Sequence, residues 1–318
     1  MDAEKKAIER LRCASDMSIK LYKQPLVITY SGGKDSDVLL HLAAASGIPY
    51  EVLHSLTTAD APETVRHVYD TFRRLDERGV KCTVDKHDKP DGTRTTMWNL
   101  IPRKLIPPTR LVRYCCAELK EGGGKDRFIA TGVRWAESTA RKRRGALEVL
   151  HHDPAKKLIL SNDNNEDRRL FEACQLKGKR VVNPIVDWME NDIWDYIAAE
   201  KIVMNPLYCE GFSRVGCVGC PMAGRAGRKR EFARYPKIKA AYIRAFDRML
   251  ERRRERGLPC DWQTGVDVYH WWMEDGVMTS QTVMSEFEGH ECPPRQGYRV
   301  VAGAAGTGGN GGTRQWLK

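Results

Sequence analysis

The chain lacks the marks of export and of a membrane. Met1-Asp2-Ala3-Glu4-Lys5 has no apolar secretory core, and no stretch approaches the roughly 18 apolar residues of a spanning helix. A cytoplasmic protein with no membrane partner is expected. No internal repeat is evident. A hydrolase triad is missing as well, because His151-His152 and His270 have no carboxylate or nucleophile partner in a recognisable pattern. A Walker A loop is also absent, since Ile28 and Thr29 stand where its first glycine would fall, and this argues against a motor-type ATPase. The ten cysteines do not suit a disulfide framework either, because that framework belongs to short secreted chains.

What is present is enough for a substantial core: 318 residues, 41% of them hydrophobic. Pro25-Leu26-Val27-Ile28-Thr29-Tyr30 predicts a buried strand, and the apolar spacing from Asp37 to Ala43 predicts a helix after a Gly-containing turn. A strand at 50–56, a helix at 61–78 opened by Pro62, and a strand at 79–84 repeat that order. Further strands are expected at 127–132, 157–160 and 179–182, a polar loop at 161–169, and helices from Asn191 and over 235–256. The expected fold class is α/β, with a doubly wound, mainly parallel sheet. Residues 1–200 would be the nucleotide-binding domain with its N-terminal helix. Residues 201–300 would form a cysteine-rich, basic helical region, and 301–318 a flexible Gly-rich tail.

Ser31-Gly32-Gly33-Lys34-Asp35-Ser36 lies between the first strand and the first apolar helix. Two glycines allow a tight turn, and the backbone N–H groups and helix terminus that follow can face anionic oxygens. Lys34 is expected to contact phosphate, and the Ser31 and Ser36 hydroxyls to donate hydrogen bonds. Asp35 is expected to orient Mg²⁺ or the helix start. Cys217-Val218-Gly219-Cys220 has metal-ligand spacing, with Cys209 eight positions earlier and Cys115-Cys116 elsewhere in the chain. An iron–sulfur centre or structural zinc is expected there. Cys13, Cys82, Cys174 and Cys260 lack comparable spacing.

The hexapeptide is also the motif of the PP-loop ATP pyrophosphatase superfamily. Within that superfamily, Thr58 to Thr64, Arg113 to Lys120, Gly132 to Ser138 and Asn183 to Trp188 resemble, in order, the motifs of the phosphoadenosine phosphosulfate reductase family. The resemblance runs from about residue 25 to 245 and extends to DndC-type DNA phosphorothioation enzymes. It implies a fold of the adenine nucleotide alpha-hydrolase-like type and the cofactors ATP, Mg²⁺ and a 4Fe-4S cluster. Related sulfonucleotide reductases would ligate through Cys115, Cys116, Cys217 and Cys220. The phosphorothioation-type proteins would use Cys116, Cys209, Cys217 and Cys220, and this second set is the one expected. Glu291-Cys292-Pro293 is similar to the segment carrying the reductases' nucleophilic cysteine, but Pro293 and Pro294 depart from its glycine context.

The catalytic candidates are Lys34, Asp35 and Arg134, the last because Gly132-Val133-Arg134 follows a predicted strand and a guanidinium fork suits phosphate oxygens. Arg113, Lys120 and Lys142 could add to an anionic pocket. Between Arg225 and Arg256 thirteen Lys/Arg face four Asp/Glu, a local charge of +9. Arg225, Arg228, Lys229, Arg230 and Arg234, just after Cys220, are expected to meet a nucleic-acid backbone, DNA or tRNA. The expected function is ATP-dependent adenylyl transfer that activates a substrate for sulfur transfer, with a cysteine desulfurase or another sulfur donor as partner. Two alternatives are a sulfonucleotide reductase that releases sulfite and an ATP-bound iron–sulfur sensor or assembly module.

Overall fold

A computed structural model describes residues 3–124, 126–137, 141–150, 158–160 and 179–274. Helix α1 (Ala3–Tyr22) leads into β1 (Leu26–Thr29), the glycine turn and α2 (Lys34–Ala45). Then come β2 (Tyr50–Ser55), α3 (Pro62–Asp76), β3 (Cys82–Asp85), α4 (Met97–Lys104) and α5 (Tyr114–Leu119). Strands β4 (Phe128–Ala130), β5 (Leu147–Leu150), β6 (Leu158–Leu160) and β7 (Lys179–Val182) complete the sheet. Beyond them lie α6 (Glu190–Ala199), a 3-10 turn (Pro206–Tyr208), α7 (Gly224–Arg234), α8 (Pro236–Glu255) and α9 (Gly265–Met273).

The seven strands form one sheet in the order β3-β2-β1-β4-β7-β5-β6. The first five are parallel to their neighbours, and β5 runs antiparallel to both β7 and β6. Parallel neighbours need crossover connections, which here carry helices. Strands covered on both faces must be apolar throughout, as Leu26-Val27-Ile28 and Phe128-Ile129-Ala130 are. The chain leaves β1 toward β2 and β3, then returns to β4 on β1's other side. That reversal makes β1/β4 a topological switch point, where doubly wound sheets open a crevice at the carboxyl ends of their strands.

Two large apolar cores, with a small third one of Val27, Ile129 and Val181, hold the described residues together. Leu11 and Met17 of α1, Val38 and Leu39 of α2 and Phe72 of α3 pack with Leu26 and Ile28 of β1. Leu100 and Ile101 of α4, Phe232 of α7, Tyr242 and Phe246 of α8 and Trp272 of α9 form the second core. Strand β5 and helices α4, α5 and α9 were not expected from the sequence. Strand β5 is four residues long with Glu148 in its middle, and α4 contains Pro102, so local pattern speaks against both. The structure supplies what the pattern lacks: Glu148 accepts from Arg144, Gly145 and Asn183, and Thr96 caps α4. The loop at 161–169, the tail at 301–318, His151-His152, Cys174 and Cys292 lie outside the described residues.

Helix α1 is tied to the loop after β7 by charge. Arg10 and Lys6 donate to both carboxylate oxygens of Asp187, at 2.7 to 3.1 Å. Burial works to raise the Asp187 pKa, but the two cations and their hydrogen bonds outweigh it and hold it at about 2. An unfolded aspartate titrates near pH 3.9. The pair therefore adds stability above about pH 4, and loses it as pH falls through the folded value. Thermal melts of the wild type and Asp187→Asn should differ at pH 6 and converge toward pH 2; a gap independent of pH would refute the linkage.

Candidate functional site

The crevice is floored by the Ser31–Ser36 turn. Gly32 has φ +73°, and a Cβ there would stand 3.0 Å from Val68 Cγ2, so glycine is needed on both counts. The two serines serve the turn itself. Ser36 Oγ donates to Gly33 O (2.7 Å) and accepts from Gly33 N–H (3.1 Å), while Ser31 Oγ donates to Ser36 Oγ (3.2 Å). Beneath the turn, Tyr30 OH donates to Asp37 Oδ1 at 2.5 Å, and His67 Nε2 lies 2.9 Å from the same hydroxyl. This buried group fixes the start of α2 to α3.

Lys34, Asp35 and Arg134 meet at the N-terminus of α2. The Lys34 ammonium is buried and lies 3.0 Å from Asp35 Oδ2 and 3.4 Å from Glu190 Oε1. Arg134, 1% exposed, donates from Nε to Asp35 Oδ1 (2.6 Å) and from Nη2 to Glu190 Oε2 (2.7 Å). Gly132 lets this segment approach, because a Cβ there would come 3.0 Å from Asp35 O. Burial would raise the Glu190 pKa, but the Arg134 hydrogen bond and the Lys34 charge lower it on balance. Two cations, two carboxylates and a helix terminus thus stand ready for an anion, with Asp35 engaged by both cations. Sequence reading missed Glu190, which opens α6 with no motif of its own.

Residues 205–220 close the other side. Asn205 Nδ2 donates to Gly32 O (3.0 Å), and Tyr208 OH accepts the Lys34 N–H (3.0 Å). Further on, Val218 N–H donates to Ala59 O (2.8 Å) and Cys217 Sγ donates to Thr57 Oγ1 (3.3 Å), which pins the Cys217–Cys220 loop behind β2. Arg113 Nη2 donates to Cys116 Sγ at 3.3 Å. The Cys115 thiol's hydrogen bond lowers the Cys116 pKa, Arg113 and Lys120 lower it further, and Cys115 is raised in return. The Lys120 pKa is raised by Cys217 first, with Asp60, Cys116 and Cys220 adding to it.

Among the described residues no group of three or more His, Cys, Asp or Glu side chains could hold a metal ion. The expected set Cys116, Cys209, Cys217 and Cys220 is therefore not drawn together as a metal site. Cys209 is solvent-exposed at the end of the 3-10 turn, with its N–H on Pro206 O. Cys115, Cys116, Cys217 and Cys220 are instead the cysteines that share an electrostatic neighbourhood.

The basic residues after Cys220 also differ from expectation. Arg228 is fully buried and donates to Trp272 O, Arg230 donates to Gly211 O and Glu210 O, and Arg234 pairs with Glu63 and Glu210. Arg225 stands 3.6 Å from Glu274. Helix packing and capping consume these charges, and of the five Lys229 alone is exposed with no polar partner among the described residues. Lys142 is exposed in the short turn Arg141–Arg143.

A mainly parallel sheet with a glycine turn at its switch point, facing buried cations, defines an α/β protein of the adenine nucleotide alpha-hydrolase-like type. Residues 25–223 match the phosphoadenosine phosphosulfate reductase domain model, and the chain belongs to that family. It is 31% identical over 232 residues to sulfate adenylyltransferase subunit 2 of Streptomyces lavendulae, covering 64% of this chain and 66% of that one. It is 26% identical over 224 residues to adenosine 5'-phosphosulfate reductase of Bacillus thuringiensis (strain Al Hakam), covering 67% and 80%. A solved structure, phosphoadenylyl-sulfate reductase from Candida auris in a phosphate complex, aligns with TM-score 0.40 and 18% identity over 67% of this chain and 88% of that one. The chain thus spans about two thirds of the Streptomyces relative's length. No helix among the described residues is long and apolar enough to cross a membrane.

Proposed function

We propose that the protein holds the phosphates of ATP in the Ser31–Ser36 turn and transfers the adenylyl group, with release of pyrophosphate, to an oxygen-bearing acceptor. The observation that carries this reading is the buried pair Lys34 and Arg134, bridged by Asp35 and Glu190 at the start of α2. Fixed cations in a partly dry crevice favour charge that develops on a leaving pyrophosphate. The acceptor oxygen forms a bond to the α-phosphorus, the Pα–O–Pβ bond breaks, and the electron pair leaves with pyrophosphate. Mg²⁺ would arrive on the triphosphate as part of the substrate. The similarity to sulfate adenylyltransferase subunit 2 supports the same reaction class. A nucleic acid as acceptor and a sulfur-donor protein as partner belong to this proposal too.

A second reading, reduction of a sulfonucleotide to sulfite, is favoured by the electrostatic neighbourhood that Cys115 shares with Cys116, Cys217 and Cys220. These four thiols are not drawn together as a metal site either, and under this reading they rather than Cys209 would have to close on one another to hold an iron–sulfur cluster. When bound, such a cluster would supply a polarising or redox-active centre beside the nucleotide.

Anaerobic incubation with ATP, or with adenosine 5'-phosphosulfate and a thiol reductant, separates the two. With ATP and a candidate acceptor, pyrophosphate matched by adenylated acceptor and no sulfite are expected, with Lys34→Gln lowering the pyrophosphate rate by about 100-fold. Sulfite from the sulfonucleotide, with no pyrophosphate from ATP, would reverse the assignment.

A further inference from the structure

The phosphate turn is gripped by a segment more than 170 residues further along the chain. Asn205 is fully buried, and its Nδ2 donates to Gly32 O and to Thr64 Oγ1 (3.1 Å) while its Oδ1 accepts Leu207 N–H (3.1 Å). That side chain leaves the following turn little freedom. Tyr208 then brings its hydroxyl to 3.0 Å from the Lys34 nitrogen, whose N–H is one of the α2 terminal donors left without a partner in the helix. The hydroxyl also sits 3.4 Å from where a Gly33 Cβ would be, which places it over the turn's backbone. Its ring packs edge-on against Trp194, centroids 5.5 Å apart. Trp194 in turn donates to Glu190 Oε1 (3.1 Å), the carboxylate that bridges Lys34 and Arg134.

A phenol that accepts one hydrogen bond still has a proton to give. Among the described residues no acceptor takes the Tyr208 proton. Burial, and then the nearby charges of Asp35, Asp37 and Glu190, raise the Tyr208 pKa and keep the proton in place. A neutral, half-buried donor steered by the helix terminus and standing over a phosphate turn is suited to a phosphoryl oxygen.

We propose that Tyr208 is a phosphate-binding residue of this site, whose hydroxyl, oriented by the Lys34 N–H, donates its proton to a phosphoryl oxygen of the bound nucleotide. The assignment rests on the reading that the Ser31–Ser36 turn holds phosphates. It makes the turn preceding the Cys209–Cys220 segment a wall of the nucleotide site. The phosphate end of the ligand is thereby joined, through one short stretch of backbone, to the loop that carries Cys217 and Cys220.

The test is calorimetric binding of inorganic pyrophosphate, ATP and adenosine to the full chain and to Tyr208→Phe, which keeps the ring on Trp194. Loss of one hydrogen bond to a charged oxygen should weaken pyrophosphate and ATP by roughly ten- to a hundredfold. Adenosine, which has no phosphoryl oxygen, should bind both proteins equally, and the melting temperature of the ligand-free protein should be retained. Unchanged pyrophosphate affinity in Tyr208→Phe would overturn the assignment. Tighter pyrophosphate binding would overturn it too, by showing that the hydroxyl only plugs the turn and must be displaced. Should Tyr208→Phe melt early, Tyr208→Leu, whose side chain has no donor, is titrated in its stead with the same expected loss. Failure of the wild-type protein to bind either phosphate compound is a separate result, and it would remove the phosphate reading along with the role of Tyr208.

Discussion

Arg134→Met lowers kcat/KM for the nucleotide by at least about 100-fold, the scale expected when a fixed charge aimed at a developing anion is removed. Arg134 is almost completely buried, and it spends its guanidinium on Asp35 at 2.6 Å, Glu190 at 2.7 Å and the Trp188 carbonyl at 3.4 Å. Methionine fills the space and removes every one of those contacts. Lys34 would then be left between two carboxylates, which draw the ammonium toward themselves and away from a phosphate. Stripping one partner from a buried ion pair costs roughly 3–5 kcal/mol. Asp35 and Glu190 keep 20% and 51% of their side-chain surface, so water relieves part of that loss and about 2 kcal/mol is expected here. Arg134→Lys keeps the charge without the fork that reaches both carboxylates, and should fall between the two. Steady-state kinetics with denaturant unfolding check both effects; a methionine variant of near-normal kcat/KM would remove Arg134 from the site.

Gly219→Ala, in the loop between Cys217 and Cys220, is expected to cost about 2–5 kcal/mol of stability and to change how the two thiols react. Gly219 has φ +74°, which costs an L-residue roughly 1–2 kcal/mol. The added Cβ would also overlap Phe232 Cζ and stand 2.9 Å from Cε1. Phe232 is unable to retreat, because Tyr269, Tyr242 and Trp272 surround it with centroids 5.5 to 6.0 Å away. Overpacking of that kind adds about 1–3 kcal/mol. Gly47→Ala is the control: its φ is +71°, and nothing lies within 4 Å of the new Cβ, so it carries the backbone cost alone. Equal losses in the two variants, by chemical denaturation, would show that the Phe232 contact is harmless. Thiol titration of Gly219→Ala should show faster modification of Cys217, buried in the wild type against Thr57.

The glycine turn between β1 and α2 could be read from six consecutive residues because its geometry is local. Two glycines, a lysine and the following helix start are contiguous, and the structure adds only that both serines are spent on the turn's own geometry. Arg134 was also legible, through its place after a strand. Glu190 was not, since a glutamate opening a helix carries no sign that it will face an arginine 56 positions earlier. The cysteines show the same limit. Spacing marks Cys217 and Cys220 as a pair, but whether Cys209 or Cys115 joins them depends on how two separate loops dock, and the structure leaves Cys209 in solvent. Counting charge likewise overstated the free basic surface after Cys220, because Arg228 and Arg230 bind backbone carbonyls and Arg234 pairs with acids distant in sequence.

By itself the sequence determined the strand, glycine turn and helix that run from Leu26 to Ala45, the mainly parallel α/β class and the family motifs, all of which follow from hydrophobic period and short-range spacing. Tertiary structure alone decided which cation is buried, which carboxylates bridge it, which cysteines stand together and that Tyr208 faces the turn. Those outcomes depend on side chains brought from 50 to 180 positions apart, where no local propensity reaches and only the packing of helices on the sheet selects the neighbours.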